Sequence, residues 1–253
     1  MEQASSPGQT YKIVDVCLLA GKIMLQNGAE TYRVEDTMAR IAASYGLHHT
    51  HSFVTPTGII FSVDGSDPTK LVRISTRSTD LHKVTLVNGL SRKISDGQLD
   101  LQEAHRLLLK VDKANLAYPV ALQIAAAAVS SGCFTIMFNG GWPDFIPAVV
   151  TGGLGFIGFL IFHRYVLFKF VAEFLASFII GMLASLFIWT GLGQELDKII
   201  IGSVMPLVPG LLITNAVRDL IAGHLVSGLS KGAEAFLTAF AIGAGIAVVF
   251  SFY

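Results

Sequence analysis

Charged residues are scarce in this sequence, and cysteine is scarcer still. Lys, Arg, Asp and Glu make up 14% of the 253 residues, whereas hydrophobic residues make up 52%. A soluble globular protein carries a larger charged fraction, so this composition excludes a wholly soluble chain. The two cysteines, Cys17 and Cys133, lie in regions of different polarity. We therefore predict no disulfide between them and a reducing environment.

Several functional signatures are also missing. Lys and Arg form no cluster interleaved with aromatic residues, and the formal net charge is zero, which argues against a nucleic-acid partner. No G-x-x-x-x-G-K-[ST] loop for nucleotide phosphates and no G-x-S-x-G turn of a serine hydrolase is present. The N-terminal MEQASSPGQT lacks the basic start of a secretory signal. We predict no cofactor, no signal peptide and no enzymatic activity.

The charged residues are unevenly distributed along the chain. Residues 1–118 hold 13 of the 18 Lys and Arg and 12 of the 18 Asp and Glu. Apolar spacing predicts helices in YKIVDVCLLAGKIMLQNG and AETYRVEDTMARIAASYG, which end at Gly28 and Gly46. HSFVTPTGIIFSVDG and TKLVRISTRS change to a strand pattern and predict two strands. Asp80 and Asp100 are expected to cap two further helices, so residues 1–118 are predicted to form a small α/β domain.

Long apolar segments dominate the rest of the chain. Five such segments follow Pro119, at about 119–138, 145–163, 167–189, 199–222 and 233–252. Each is long enough to cross a hydrocarbon core of about 30 Å. Small residues recur in these segments, which favours close helix packing. The predicted fold class is an α-helical integral membrane protein of five spans, 119–253, with the fourth span broken, preceded by a small cytoplasmic α/β domain, 1–118.

The distribution of Lys and Arg predicts the orientation of the spans. Basic residues lie on alternate connections, and this set comprises Arg106, Lys110, Lys113, Arg164, Lys169, Arg218 and Lys231. The opposite connections hold only Lys198. Because basic loops stay in the cytoplasm, we predict a cytoplasmic N-terminus and an outside C-terminus in the bacterial inner membrane.

The fourth apolar segment contains VMPLVPGLLITNAVRDLIAG, which two prolines interrupt. Proline has no N–H, so it releases helix carbonyls, and it suits the first position of a new helix. A half-helix that starts at Pro209 presents its N-terminal amides near the bilayer middle, where secondary transporters bind anionic substrate groups. The predicted substrate-binding residues are Pro206, Pro209, Gly210, Leu211, Thr214 and Asn215. A kink without function is the alternative.

Three charged residues inside or beside the spans are candidates for gating and coupling. Arg218 and Asp219 lie near the cytoplasmic end of the broken span and are predicted to act as a gate. Their alternative is an ordinary interfacial anchor. Glu173 lies one to two turns inside the third span, where a carboxyl can carry a proton. The alternative is that Lys169 simply neutralises it.

A cluster of charges crowds the start of the second helix. Glu30, Arg33, Glu35 and Asp36 form this cluster. The structural interpretation is that acidic residues favour the positive end of the helix and that Arg33 pairs with Glu30. The functional interpretation is a regulatory gate or sensor. His48, His49 and His51 also lie close together, but no third ligand follows at metal-binding spacing, and we predict no metal site.

Two long motifs carry a resemblance to a known family. PLVPG followed by TNAVRDLIAGHLVSGLSKGAEA resembles the signature of the threonine/serine exporter family. NGAETYRVEDTMARIAASYG and VTPTGIIFSVDG resemble that family's cytoplasmic half. Single-chain members carry roughly twice as many spans, with a second inverted half. The chain is therefore similar to the larger subunit of the split, two-chain version, whose members have been linked to succinate export.

The resemblance implies a function and a set of partners. We expect a secondary transporter subunit that exports small carboxylate-bearing metabolites, either threonine/serine-type amino acids or a dicarboxylate such as succinate, driven by an ion gradient. The expected partners are the small-molecule substrate, the lipid bilayer, and either a second small membrane protein that supplies the inverted half or further copies of the chain. The alternative function is a membrane-tethered hydrolase or sensor that uses residues 1–118.

Overall fold

The computed structural model describes residues 7–63, 69–166 and 168–252. Some sequence predictions fall on other residues. Three parts of these predictions lie outside the described residues. They are the start of the MEQASSPGQT segment, Asp64 and Gly65 at the end of the first predicted strand segment, and Leu167 at the start of the third predicted span.

Two amphipathic helices open the described chain, as the apolar spacing predicts. Helix α1 spans Pro7–Gln26 and helix α2 spans Thr31–Ser44. Gly28 and Gly46 follow them with φ of 94° and 91°, the left-handed conformation that glycine adopts without a steric penalty. After α1, the Ala29 N–H donates to the Met24 carbonyl at 3.1 Å, which closes the turn. Both predicted helix ends are confirmed.

A three-stranded antiparallel sheet follows α2, in the order β1-β2-β3. Its strands are β1 at Thr50–Thr55, β2 at Gly58–Val63 and β3 at Lys70–Arg73. The prediction of two strands is wrong, because the first predicted segment folds back on itself. Pro56 and Thr57 form the turn between β1 and β2, so one segment supplies both arms of a hairpin.

The next two helices begin at their predicted caps. Helix α3 spans Leu81–Ser95 and helix α4 spans Leu101–Lys113. The Asp80 side chain accepts from two backbone N–H groups of α3, and Asp100 Oδ1 accepts from the third residue of α4 at 2.7 Å. These carboxylates satisfy N–H groups that no helix can satisfy internally, so both predicted N-caps are confirmed.

Helices α1 to α4 and the sheet bury one hydrophobic core. Fully buried members come from every part of this region and include Ile13, Ile23, Met38, Ile41, Ile59, Phe61, Val87 and Leu108. Cys17 is also buried in this core. Burial raises the pKa of its thiol, so it is expected to be unreactive.

Among the described residues, four helices are long and apolar enough to cross a membrane, or five if one bent pair counts as a single span. The continuous ones are α5 at Val120–Met137, α6 at Trp142–Tyr165, α7 at Lys169–Trp189 and α10 at Leu225–Phe250. They correspond to four of the five predicted spans. The chain is therefore a multi-pass membrane protein in its composition and helix lengths.

The bent pair corresponds to the fourth predicted span. Helix α8 at Leu196–Val204 continues into a short 3-10 turn at Met205–Leu207, and helix α9 spans Gly210–Ile221. The two parts meet at an angle of 64°. The predicted break is confirmed, although α9 begins one residue after Pro209.

The chain divides into two compact units. The N-terminal unit combines Met1–Ala117 with Leu211–Gly232, and the membrane unit combines Tyr118–Gly210 with Ala233–Tyr253. Helix α9 and the first turns of α10 thus group with the N-terminal helices, whereas the sequence predicted them as part of a membrane domain.

Small residues allow close packing within the membrane unit. A side chain at Gly155 would collide with Ile180, and one at Gly181 would collide with Val249. Gly245 lies against Ser177 in the same way. Because a glycine removes the side chain between two backbones, the predicted use of small residues for helix packing is confirmed.

Candidate functional site

The chain direction changes at Val208 and Pro209. Pro206 lies inside the 3-10 turn, and Val208 is extended, with φ −63° and ψ 129°. The Gly210 N–H donates to the Val208 carbonyl at 2.8 Å, which makes the turn tight. The backbone therefore leaves helical geometry for two residues and re-enters it at Gly210.

Gly210 keeps the start of α9 open. A Cβ placed on Gly210 would meet no other described atom within 4 Å, and Val208 is also partly exposed. The first N–H groups of any α-helix have no acceptor within that helix, and they carry the positive end of its dipole. A small anion can approach such amides where no side chain covers them.

The other predicted substrate-binding residues lie further along α9. Leu211 approaches Gly28, and Thr214 is exposed. The buried Asn215 uses its side-chain amide to donate to the Gly28 carbonyl at 2.8 Å. Asn215 therefore holds the α1–α2 connection inside the N-terminal unit.

A polar cluster joins the start of α2 to α9 and α10. We call it the α2 cluster, and it consists of Glu30, Thr31, Arg218, Asp219 and Lys231. Asp219 accepts from the Thr31 N–H at 3.0 Å and from the Thr31 hydroxyl at 2.8 Å. Lys231 Nζ donates to Asp219 Oδ2 at 2.7 Å and to Thr31 Oγ1 at 3.3 Å. A carboxylate from a distant helix thus caps α2, where Glu30 at the N-cap position makes no side-chain cap bond.

The Asp219–Lys231 pair is almost completely shielded from solvent. The Lys231 side chain is 6% exposed and that of Asp219 is 0% exposed. A buried ion pair is tolerated only when hydrogen bonds satisfy both partners, and Thr31 supplies those bonds. The Asp219–Lys231 pair is therefore buried with its hydrogen bonds made, whereas the Arg218 side chain of the same cluster is exposed.

Arg218 and Asp219 are neighbours in sequence but have different partners. Arg218 Nη1 donates to Glu30 Oε1 at 2.5 Å, and Glu30 also pairs with Arg33 at 3.4 Å. The predicted Glu30–Arg33 pair is thus present. Their ionic partners, Glu30 and Lys231, both belong to the N-terminal unit.

The two remaining predicted regulatory residues differ in environment. Glu35 Oε1 accepts from the Val54 N–H at 3.0 Å, and Glu35 Oε2 lies 3.9 Å from His224 Nε2. Burial raises the pKa of the Glu35 carboxyl; the Val54 N–H and His224 partly offset this rise, and Asp219 adds to it. Asp36 forms an exposed pair with Arg40 at 2.6 Å.

The predicted coupling residue lies in the membrane unit. Glu173 on α7 is 3% exposed, and Glu173 Oε1 is 3.9 Å from Lys169 Nζ. Lys169 Nζ donates to Glu234 Oε1 of α10 at 3.0 Å. The predicted neutralising lysine is thus present, but Glu173 shares it with a second carboxylate.

The histidine run forms no metal centre in the described parts of the chain. Groups of three or more His, Cys, Asp or Glu with metal-binding geometry are absent from residues 7–63, 69–166 and 168–252. His51 lies on β1 and pairs with Ser62 across the hairpin.

Thr31 and Lys231 were missed by the sequence predictions. Thr31 lies in the motif NGAETYRVED and Lys231 in LSKGAEA, but Thr31 was given no role and Lys231 was used only to predict the orientation of the spans. The sequence did offer one signal for Lys231. It lies among small and apolar residues, and a lysine that is buried there requires a counter-ion.

Long apolar helices, an interrupted span and charged groups buried in helical units define a multi-pass membrane protein of the transporter class. A family profile described as "Putative threonine/serine exporter" matches residues 15–253. The chain therefore belongs to the threonine/serine exporter family, and the resemblance predicted from its motifs is confirmed.

Individual relatives cover the chain at about a quarter identity. "Probable succinate transporter subunit YjjP" of Klebsiella aerogenes is 26% identical over 247 residues, which cover 95% of this chain and 94% of that protein. The protein of the same name from Escherichia coli is 26% identical over 255 residues, which cover 97% and 96%. "Probable threonine/serine exporter" of Mycobacterium tuberculosis is 25% identical over 245 residues, which cover 91% of this chain but 44% of that protein. No solved structure matches the chain.

Proposed function

We propose that this chain is one subunit of a secondary transporter that exports small carboxylate-bearing metabolites across the bacterial inner membrane. The substrate is a threonine/serine-type amino acid or a dicarboxylate such as succinate. An ion gradient drives the export. The names of the relatives support the two substrate classes.

The interruption between α8 and α9 carries this proposal. In our proposal α8 enters the bilayer at Lys198, and the eleven residues from there to Pro209 rise about 16 Å at about 1.5 Å per helical residue, so the break lies inside the bilayer. Lipid cannot satisfy freed backbone groups, so such a break persists where protein or a wet cavity surrounds it. In our proposal the amides at the start of α9 bind the substrate carboxylate, with Pro206 and Pro209 shaping the turn and Gly210 leaving room.

The names and lengths of the relatives support the assignment as a subunit. The match covers 94% and 96% of the two relatives called subunits but 44% of the mycobacterial exporter. An odd number of spans reverses the orientation of a homologous unit that follows, so two such units form an inverted repeat around one site. We propose that a second small membrane protein, or a second copy of this chain, supplies the other half.

Flux measurements test the transport proposal directly. Proteoliposomes that hold the purified chain, alone or with the membrane protein encoded beside it, are expected to move labelled threonine, serine or succinate. We expect this flux to require an ion gradient and to stop when an uncoupler is added. Flux that survives the uncoupler but stops on ATP depletion would contradict ion-driven transport. Turnover of a soluble substrate without any flux would favour the hydrolase alternative.

Cysteine labelling tests the proposed orientation, in which the N-terminus is cytoplasmic and the C-terminus is outside. Trp142 and His163 are exposed at opposite ends of α6, so each tolerates replacement by cysteine. We expect Trp142→Cys to react with a membrane-impermeant thiol reagent added outside intact cells and His163→Cys to stay unlabelled. Both variants are made in a protein that also carries Cys133→Ser, because the exposed Cys133 could react with the reagent. Cys17 is buried and is left unchanged. The opposite labelling pattern would invert the topology.

A further inference from the structure

Glu173 and Thr238 are two buried polar side chains that face each other in the membrane unit. Glu173 on α7 is 3% exposed and Thr238 on α10 is 1% exposed. The Thr238 hydroxyl faces the Glu173 carboxyl as a side-chain hydrogen-bond donor. The contact lies outside strict hydrogen-bond geometry, so among the described residues Glu173 Oε2 and Thr238 Oγ1 lack a well-formed partner. Buried polar atoms in proteins are nearly always paired, so a carboxyl with an incomplete partner inside a spanning helix is a candidate functional group.

Lys169, the nearest cation, is not a full counter-ion for Glu173. Lys169 Nζ forms a hydrogen bond with Glu234 Oε1 at 3.0 Å, whereas its distance to Glu173 Oε1 is 3.9 Å. The two carboxylates therefore compete for one ammonium group, and Glu234 holds it more closely. An ionised carboxylate that lacks its own counter-ion in an apolar span is unfavourable, and uptake of a proton removes that charge.

The chemistry at Glu173 favours a proton over a metal ion. Lys169 already occupies the position of a cation, and a proton requires only one oxygen, whereas Na⁺ or Ca²⁺ requires several oxygen ligands. In the described chain, the charged groups that act on Glu173 are Lys169 from its own helix and Glu234 from α10. The described part of the chain contains no group of three or more His, Cys, Asp or Glu that could hold a metal ion.

We propose that Glu173 is the binding site of the coupling proton and that Lys169, Glu234 and Thr238 control it. This inference rests on the proposed ion-driven export and assigns its ion and its site. Proton uptake at Glu173 Oε2 makes an O–H group that donates to Thr238 Oγ1, and Lys169 then pairs with Glu234 alone. Release returns the proton to water and restores the shared pairing. No other atom changes its bonding.

Infrared difference spectroscopy of the purified full chain tests this site without any transport. Acidification is expected to produce the carbonyl stretch of a buried carboxylic acid. Glu173→Gln is expected to abolish this band. Glu234→Gln is expected to abolish it as well, because Lys169 then pairs wholly with Glu173 and keeps it ionised. Thr238→Val is expected to shift the band, because the hydroxyl acceptor is removed, and to keep its intensity.

Glu195→Gln provides the matched control, since Glu195 is an exposed glutamate of the same unit. Its band is expected to equal that of the unsubstituted protein. A carboxylic acid band that is missing from the unsubstituted protein, or that persists in Glu173→Gln, would overturn the proposal. A band that disappears in Glu173→Gln but is unchanged in Glu234→Gln would overturn the competition for Lys169.

Transport assays separate this proposal from the proposed function. Glu173→Gln is expected to lose accumulation driven by a pH gradient and to keep the exchange of labelled threonine or succinate across the membrane without a gradient. If the unsubstituted protein moves none of these substrates, the proposed function fails, while the infrared result still decides whether Glu173 exchanges a proton. If Glu173→Gln keeps gradient-driven accumulation, the coupling role is wrong.

Discussion

Replacing Gly210 with leucine is expected to weaken substrate binding by at least about 100-fold without destabilising the protein. A Cβ at Gly210 meets no described atom within 4 Å, so the larger side chain fits the fold. It lies, however, beside the backbone N–H groups that the proposed site offers to a carboxylate. Two hydrogen bonds to a charged group contribute about 3 kcal/mol or more, which corresponds to about 100-fold in Kd. Thermal stabilisation of the purified protein by threonine, serine or succinate measures the loss, and proteoliposome flux is expected to fall with it.

Gly89 supplies the control for this substitution. It lies within a helix, and a Cβ there also meets open space. Gly89→Leu is therefore expected to match the unsubstituted protein in stability, binding and flux. If Gly210→Leu still binds and transports at the unsubstituted level, the break is only a kink and the carboxylate site lies elsewhere.

The helix ends were predictable from the sequence because capping is a local interaction. Asp80 and Asp100 satisfy N–H groups two or three residues away, and Gly28 and Gly46 need only their own backbone freedom. The break in the fourth span was predictable for the same reason, since a proline acts on the carbonyls of its own turn.

Strand number was less predictable than helix position. Val54 and Ile59 lie on opposite arms of the β1–β2 hairpin but within one β-branched segment of sequence. Pro56 and Thr57 lie between them and lack the Asn-Gly or Asp-Gly pair that marks the tightest hairpins. The segment therefore resembled one strand with a proline in it.

The α2 cluster could not be predicted, because it joins residues that no local pattern relates. Thr31 and Asp219 are separated by 188 residues. A helical or strand period extends over one element, so it gives no information on which carboxylate will cap a distant helix. The charge of Asp219 inside an apolar segment does require a partner, but the sequence analysis assigned Asp219 a gating role beside Arg218 and did not relate it to Lys231. The grouping of α9 with the N-terminal unit follows from these same contacts.

Replacing Lys231 with methionine is expected to destabilise the protein by about 3–5 kcal/mol, because it leaves the Asp219 charge buried without a counter-ion. Asp219→Asn is expected to have an effect of similar size, since it leaves the Lys231 ammonium unpaired. The double variant Asp219→Asn/Lys231→Met removes both charges, and the asparagine oxygen still accepts from Thr31. We therefore expect it to recover most of the lost stability. Denaturation of all four proteins in one detergent measures these differences as a double-mutant cycle.

The Lys70–Asp15 pair is the control for the effect of burial, because it has the same nitrogen–oxygen distance as Lys231–Asp219 but is more exposed. Its nitrogen and oxygen are 2.7 Å apart, the same as in Lys231–Asp219, but the two side chains are 27% and 59% exposed instead of 6% and 0%. Lys70→Met is expected to cost less than about 1 kcal/mol, because water screens an exposed pair. Equal losses for Lys70→Met and Lys231→Met would mean that the α2 cluster is not a buried ion pair. A double variant that is stable but does not transport would show that the charges of Asp219 and Lys231 serve the transport cycle as well as the fold.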